Sequence, residues 1–164
     1  MSLFPDTNSD VLYLSRSDYE EQLGCFSAHS FSLDGDQWPT VEHYYQAAKF
    51  THNPTYRQKI MQAKTPDQAR KLGQTWLRRK RGDWKAIRET MMTRAVYIKC
   101  RTHPDIAAAL LQTGTTKLVE NSLYDYYWGC GRDQRGENRY GTVLMNVRTK
   151  LQQEASAASE PSGT

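Results

Sequence analysis

The stretch WPTVEHYYQAAKF, residues 38–50, places the tightest constraint on how this 164-residue chain can fold. It predicts a helix over 40–52, because a threonine can cap the first turn and no glycine or proline follows it within the stretch. Glu42, Gln46 and Lys49 recur at intervals of four and three residues, so they share one face of that helix. Aromatic and small side chains flank this polar stripe. The stripe is therefore expected not to be wholly solvated.

Capping and turn signals divide the rest of the chain into short elements. Thr65, Pro66 and Gln68 form an N-terminal capping box, and Gly73 is expected to be the C-cap of the same helix. The other predicted elements are strands at 11–15, 31–38 (with a turn at 34–35) and 117–121, and helices at 54–63, 84–101, 104–113 and 142–154.

These elements predict a mostly helical α+β fold, formed by a single compact domain over residues 11–154 with a few short strands. Residues 1–10 are expected to be flexible. The small, polar segment 155–164 is expected to be a disordered tail. No internal repeat is visible, and no linker is long enough to divide the chain into two units.

The composition bears on the cellular compartment of the protein and on the charge of its ligand. The chain has 22 Lys and Arg against 18 Asp and Glu, a net charge of +4 that permits an anionic ligand but does not demand nucleic acid. Its three cysteines are widely spaced, which favours a reducing, cytoplasmic setting over a disulfide framework. The N-terminal sequence predicts neither a signal peptide nor a membrane span. The histidine spacing predicts no metal site, and no cofactor is expected.

Three acidic residues lie beside aromatic residues and are candidates for chemistry. Asp83 precedes a tryptophan, and a helix cap is the favoured interpretation for it. Asp125 stands in LYDYYWG, where a turn role and a functional role are both open, with the turn slightly favoured. Glu42 is either a functional carboxylate or a partly solvated partner of Lys49 through Gln46.

The glycine-rich stretch WGCGRDQRGENRYG, residues 128–141, is either a phosphate-binding loop or a plain surface turn. Its glycines permit backbone conformations closed to other residues and expose N–H groups. Arg132, Arg135 and Arg139 are interleaved with them, and the stretch leads into a helix N-terminus. It matches no Walker or Rossmann fingerprint. The basic run 78–81 is typical of a solvated face, with a phosphate or DNA-backbone role as the alternative.

Several blocks of the sequence resemble the YbiA-like NADAR family. They are WPTVEHYYQAAKF, RGDW before a long helix, KLVEN and WGCGRD..GEN..G..LM.VR, and their order and spacing match over roughly residues 11–151. The resemblance implies an N-glycosidase acting on ribosylated nucleobases or their pyrimidine precursors. It implies two substrate classes: phosphorylated ribosylamino-pyrimidine intermediates of riboflavin synthesis, and guanine carrying ADP-ribose, chiefly in DNA. A non-catalytic module that binds ADP-ribose or a nucleotide is the alternative.

The resemblance also implies site residues. Glu42 and Asp125 are predicted to divide acid/base and electrostatic work. Lys49 either attacks the sugar C1 as a neutral amine or keeps its charge and pairs with a phosphate or with Glu42. Trp84 and Trp128 are expected to stack on the leaving base or wall the pocket. The residues expected to contact phosphate or ribose are Arg81, Gly129, Arg132 and Asn138.

Two departures from the family pattern bear on substrate choice more than on the reaction. The family usually has a Phe-Ser-Asn-Phe segment before the first helix, where this chain has CFSAHSF. Within the glycine-rich stretch, Gln134 stands where the family commonly has glycine.

Overall fold

The computed structural model of the chain describes residues 10–161 and 163. Its elements, in chain order, are β1 (Val11–Leu14), β2 (Phe31–Leu33), β3 (Asp36–Trp38), α1 (Val41–Ala47), a 3-10 turn (Ala48–Phe50), α2 (Pro54–Met61), α3 (Pro66–Gly73), α4 (Trp84–Thr102), α5 (Pro104–Gln112), β4 (Lys117–Glu120) and α6 (Arg139–Ser159). The expected mostly helical α+β architecture is confirmed.

The strands form two small sheets. β1 pairs in parallel with β4, with Val11 opposite Lys117. β2 and β3 form an antiparallel hairpin, with Phe31 opposite Trp38. The predicted turn is confirmed: both of its residues, Asp34 and Gly35, have positive φ, as a tight two-residue hairpin connection requires.

Helix α4 is the centre of the packing, in contact with α1, α5, α6 and β2. Sequence spacing predicted one core face, made by Trp84, Ile87, Met91, Ala95 and Ile98. Trp84 and Ala95 are buried, and the other three residues are only partly buried. The buried positions also include Met92 and Val96, because neighbours cover α4 on more than one side.

The helix caps predicted from the sequence are confirmed in part, with three corrections. Thr65 accepts the N–H of Gln68 as expected, but the Gln68 side chain accepts from Lys64 N–H and not from Thr65. Gly73 is the last residue of α3 and not a residue beyond it. Asp83 precedes α4 but makes no side-chain cap, because its carboxylate is bound by Arg81.

The final helix is longer than predicted at both ends. α6 begins at Arg139 and continues to Ser159, so the first five residues of the predicted tail 155–164 are helical. Residues 1–9 of the predicted flexible N-terminus lie outside the described residues. Within the described chain, no helix is long and apolar enough to cross a membrane.

Candidate active site

The polar stripe of α1 forms a continuous chain of hydrogen bonds. Lys49 Nζ donates to Gln46 Oε1 at 2.6 Å, and Gln46 Nε2 donates to Glu42 Oε1 at 2.7 Å. All three side chains are buried. The expected contact from Glu42 to Lys49 through Gln46 is therefore present, but in the interior and not at a partly solvated surface.

Arg70 of α3 neutralises Glu42, whose side chain is 0% exposed. It donates from Nε to Oε1 at 2.9 Å and from Nη2 to Oε2 at 3.3 Å. Burial alone would raise the pKa of the Glu42 carboxyl, but the nearby charges of Arg70 and Arg16 and the Gln46 hydrogen bond hold that pKa below its usual value. Glu42 is thus an ionised carboxylate in the protein interior.

Lys49 is held by neutral acceptors. Besides Gln46, its Nζ donates to the carbonyl of Gly73 at 3.3 Å, and it lies 5.5 Å from the ring centre of Tyr45 and 5.8 Å from that of Trp84. Burial, followed by the positive charge of Lys80, lowers the pKa of Lys49 to about 8. The side chain therefore exchanges between ammonium and free amine near neutral pH.

Helix α3 fixes both ends of the α1 chain of hydrogen bonds. Arg70 binds the carboxylate end, and Gly73, one turn later, accepts from the amine end. A Cβ atom added at Gly73 would lie 2.0 Å from Gln46 Oε1. The absence of a side chain at Gly73 is therefore what allows α3 to approach Gln46 so closely.

Aromatic rings cover the same face of α1. The Tyr45 ring lies between Trp84 and Trp128, with ring centres 5.1 Å and 5.5 Å away, and Tyr127 packs edge-on against Trp128 at 4.7 Å. The two tryptophans predicted from the sequence thus form one wall with Tyr45, and that wall reduces the access of water to Lys49.

Asp125 combines the two roles left open for it. Its Oδ1 accepts the backbone N–H groups of Tyr127 and Trp128, which is a turn role. Its Oδ2 accepts from Arg16 Nη2 at 2.5 Å. Burial would raise the pKa of Asp125, but these backbone donors and the Arg16 charge lower it. Asp125 is therefore ionised like Glu42.

The parallel pairing of β1 with β4 brings Arg16 to this position. Arg16 follows the end of β1, and its backbone N–H donates to Glu120 Oε1 at the end of β4. Glu120 is fully buried and also accepts from the hydroxyl and the N–H of Ser122. A Cβ atom at Gly129 would lie 2.6 Å from Glu120 Oε2, so the glycine-rich stretch packs directly on this carboxylate.

Many polar groups of the glycine-rich stretch form hydrogen bonds that stabilise its own conformation. The N–H groups of Gly136 and Asn138 donate to carbonyls of the same stretch, and those of Cys130 and Gly131 donate to the carbonyls of Glu120 and Ser122. The Asn138 side chain accepts from Glu120 N–H and donates to the Leu118 carbonyl, both at 2.9 Å. These four amides are therefore already occupied and do not form a ready phosphate cradle.

Gln134 has a left-handed backbone conformation, with φ of 63°. Such a conformation is easier for glycine than for glutamine. The structure thus gives a backbone reason for the glycine that the family commonly has at this position, and this chain supports the same turn with a side-chain contact from Gln134 Nε2 to Cys130 Sγ.

The predicted site residues are not all brought together. Glu42, Lys49, Trp84, Trp128 and Asp125 lie around Tyr45 and Arg16. The guanidinium of Arg81 is bound to Asp83, although its backbone N–H donates to the Lys49 carbonyl. Arg132 is exposed and makes no hydrogen bond or ion pair with the residues that the structure describes. A surface groove of about 520 Å³ between α4 and α6 contains none of the predicted residues.

Sequence reasoning missed the cations that organise the site. Arg70 and Arg16 come from two separate segments, and no local spacing connects them with Glu42 or Asp125. Only Glu120 had a usable signal, because it lies in KLVEN, a block quoted for the family resemblance.

Taken together, the fold and the site define a small α+β enzyme domain. An ionised carboxylate and an amine this deeply buried cost free energy of folding, and perturbed groups of this kind cluster at catalytic centres. The chain belongs to the NADAR domain family, whose model matches residues 13–152.

Individual relatives cover most of the chain. An N-glycosidase of Nostoc punctiforme is 42% identical over 136 residues, which are 80% of this chain and 87% of the relative. The N-glycosidase YbiA of Escherichia coli is 37% identical over 141 residues, 86% of this chain and 88% of that protein. A chloroplastic riboflavin biosynthesis protein PYRR of Zea mays is 40% identical over 82% of this chain, which is 24% of the maize protein.

The fold has a solved counterpart. The NMR structure of E. coli YbiA superimposes with a TM-score of 0.83 at 33% identity, covering 94% of this chain and 92% of that one. The predicted family and fold class are therefore both confirmed.

Proposed function

We propose that this protein is an N-glycosidase that hydrolyses the bond between ribose C1 and a nucleobase-type nitrogen. The observation that carries the proposal is the buried chain from Arg70 through Glu42 and Gln46 to Lys49, beside the ring of Tyr45. It places a fixed negative charge and a group that exchanges protons near pH 8 in one dry environment. The enzyme class is confirmed by relatives named N-glycosidase that match most of the chain.

The pKa shifts of the site residues suggest which residue stabilises charge and which donates a proton. Cleavage of an N-glycosidic bond passes through a ribosyl group with oxocarbenium character, which a carboxylate stabilises and which forms more easily when the leaving base is protonated. Glu42 and Asp125 both have lowered pKa values, so neither suits the role of proton donor. Glu42 then stabilises positive charge at C1, and the Lys49 ammonium is the proton donor.

Lys49 has a second role open to it. As a free amine it can attack C1 of the ring-opened sugar and form an imine, and two of its neighbours, Gln46 and Gly73, already orient its nitrogen. Borohydride added during turnover, followed by peptide mass spectrometry, separates the two roles. An adduct on Lys49 supports the imine, whereas an active Lys49→Arg variant that cannot be trapped supports a purely electrostatic role.

The substrate falls in one of two classes. Relatives named for riboflavin biosynthesis, from Zea mays and from Vibrio vulnificus at 36% identity, support a phosphorylated ribosylamino-pyrimidine. The family resemblance also supports guanine that carries ADP-ribose, in DNA or as a nucleotide. Incubation of the pure protein with each compound, with mass spectrometry of the released ribose phosphate or ADP-ribose, tests both. Release from neither compound would contradict the proposal.

A further inference from the structure

Arg88 of α4 carries a guanidinium that is oriented but not bound. Its central carbon lies 3.3 Å from the ring centre of Tyr127. It makes no ion pair or hydrogen bond with any residue that the structure describes, and its buried Nε has no partner. A stacked guanidinium is held in one plane, while its N–H groups at the edge stay free to donate.

Arg16 contacts the same short segment, and part of its guanidinium is also without a partner. It is 9% exposed, and its buried Nε has no hydrogen-bond partner. Its Nη2 binds Asp125, which in turn accepts from the N–H groups of Tyr127 and Trp128. Arg16 and Arg88 therefore both contact one short turn, residues 125–128.

The charges of both arginines also act on Tyr45, the ring at the centre of the aromatic wall. Burial raises the pKa of Tyr45, while the charges of Arg16 and Arg88 both act in the opposite direction. Charge effects of this kind fall off quickly with distance. Both guanidinium charges thus act on Tyr45, whose ring also lies beside the Lys49 amine.

Buried donors without partners are rare and costly. Among the described residues, the only buried side-chain nitrogen without a partner outside this pair is Nδ1 of His29. The other arginines near the site are committed or exposed: Arg70 binds Glu42 and Ser17, Arg81 binds Asp83, Arg139 binds Glu89, and Arg132 faces solvent. Two guanidinium groups that contact one four-residue turn and keep N–H donors without partners fit the oxygens of a phosphate or diphosphate group.

We propose that Arg16 and Arg88 form an anion subsite beside the 125–128 turn that binds the phosphate or diphosphate of the ribosyl substrate. The assignment rests on the proposed function for the identity of the sugar, but not for the binding of the anion. It moves the phosphate contact from Arg81 and Arg132 to two arginines that contact the 125–128 turn.

Binding measurements test the subsite without any turnover. Ribose 5-phosphate and ADP-ribose are titrated into the unmodified protein and into Arg88→Gln, with calorimetric Kd values for each. Loss of charged hydrogen bonds is expected to weaken binding about ten- to hundredfold. Weakening of ADP-ribose alone assigns the subsite to a diphosphate, and weakening of both ligands assigns it to a single phosphate group.

Arg57→Gln is the matched control, because Arg57 also stacks on an aromatic ring, Trp38 at 4.8 Å, and also pairs with an aspartate, Asp36 at 2.8 Å. It should bind both ligands normally. Arg16→Lys is a second variant that keeps the charge and loses the forked donors, and it should weaken binding while the melting temperature stays close to that of Arg57→Gln.

Equal Kd values for Arg88→Gln and Arg57→Gln would overturn the subsite, whatever the catalytic activity. So would normal binding by Arg88→Gln together with loss of binding by Arg132→Ala. The failure of the proposed function looks different, since the anions would still bind through Arg16 and Arg88 while no N-glycosidic substrate was cleaved.

Discussion

Glu42 accepts hydrogen bonds from Arg70 and Gln46, whereas Arg88 of α4 binds no described residue through its N–H groups. The side built by α1 and α3 is thus saturated before any ligand arrives. The side built by α4 and the 125–128 turn keeps buried donors free. Preorganised charge is what stabilises a transition state, because it costs no reorganisation during the reaction. Free donors are what a substrate can satisfy on binding. Under the proposed function, the side built by α1 and α3 performs the chemistry, and the side built by α4 and the 125–128 turn supplies affinity.

Of the substitutions considered, Glu42→Gln should have the largest effect on kcat. It changes the side built by α1 and α3. The variant removes the charge that faces the developing cation, and kcat should fall about 100-fold or more. It also leaves Arg70 without a counter-charge, so the melting temperature should drop. Ligand binding should persist, measured as the rise in melting temperature that ADP-ribose or ribose 5-phosphate produces.

Asp36→Asn is the control for Glu42→Gln, because Asp36 also pairs with an arginine, Arg57, but lies outside the site. Its kcat should be unchanged. If Glu42→Gln kept most of its activity, the catalytic assignment of Glu42 would be wrong.

Gly73→Ala should disturb the same side without changing any charge. Its Cβ would collide with Gln46 Oε1, so Gln46 and the end of α3 must separate and Lys49 loses its fixed position. We expect kcat to fall about tenfold or more, because small displacements of reacting groups are costly. Gly82→Ala is the matched control: a Cβ there meets nothing within 4 Å. Equal kcat values for the two variants would show that the Gln46 position does not matter.

The sequence predicted more of the side built by α1 and α3 than of the side built by α4 and the 125–128 turn. Glu42, Gln46 and Lys49 lie in one helix, so spacing alone placed them on one face. Arg70 is 28 residues from Glu42, and Arg16 is 109 residues from Asp125. Those pairs exist only because α3 packs on α1 and because β1 pairs with β4. The same holds for Gly73, whose helix-end position suggested a cap while its tertiary contact with Gln46 explains the missing side chain.

Asn138→Ala should act on stability and not on affinity. The Asn138 side chain joins the glycine-rich stretch to β4 through two hydrogen bonds, and its φ of 49° is unfavourable for alanine. We expect the free energy of unfolding to fall by about 2 kcal/mol, measured by urea denaturation. Arg132→Ala, in the same stretch but exposed, should change it by less than about 0.5 kcal/mol. A normal stability for Asn138→Ala, with weakened phosphate binding, would restore Asn138 as a ligand contact.

The smallest expected effect is on the pH dependence of stability, and it comes from the buried Lys49. Burial is the main cause that lowers the pKa of Lys49 from its ordinary value of 10.5 to about 8 in the folded protein. The folded state therefore binds fewer protons at Lys49 than the unfolded state between pH 8 and 10.5, so the contribution of Lys49 to the free energy of unfolding should rise with pH in that window. Cys25 and Cys100 contribute in the opposite direction, because burial raises their pKa values to about 12 and about 11. The slope is at most about 1.4 kcal/mol per pH unit for each such lysine.

Lys99 provides the comparison that makes this measurement specific. Its pKa is also lowered to about 8 by burial, and its Nζ donates to the carbonyls of Gln22 and Gly24 and to Ser27 Oγ. Urea denaturation at several pH values between 7.5 and 9.5 keeps the unfolded tyrosines mostly protonated. Lys49→Met and Lys99→Met should each reduce the slope, but only Lys49→Met should also abolish turnover, because Lys99 contacts none of the site residues. An unchanged slope in Lys49→Met would mean that Lys49 remains an ordinary ammonium in the folded protein, and the electrostatic role would then be the one that survives.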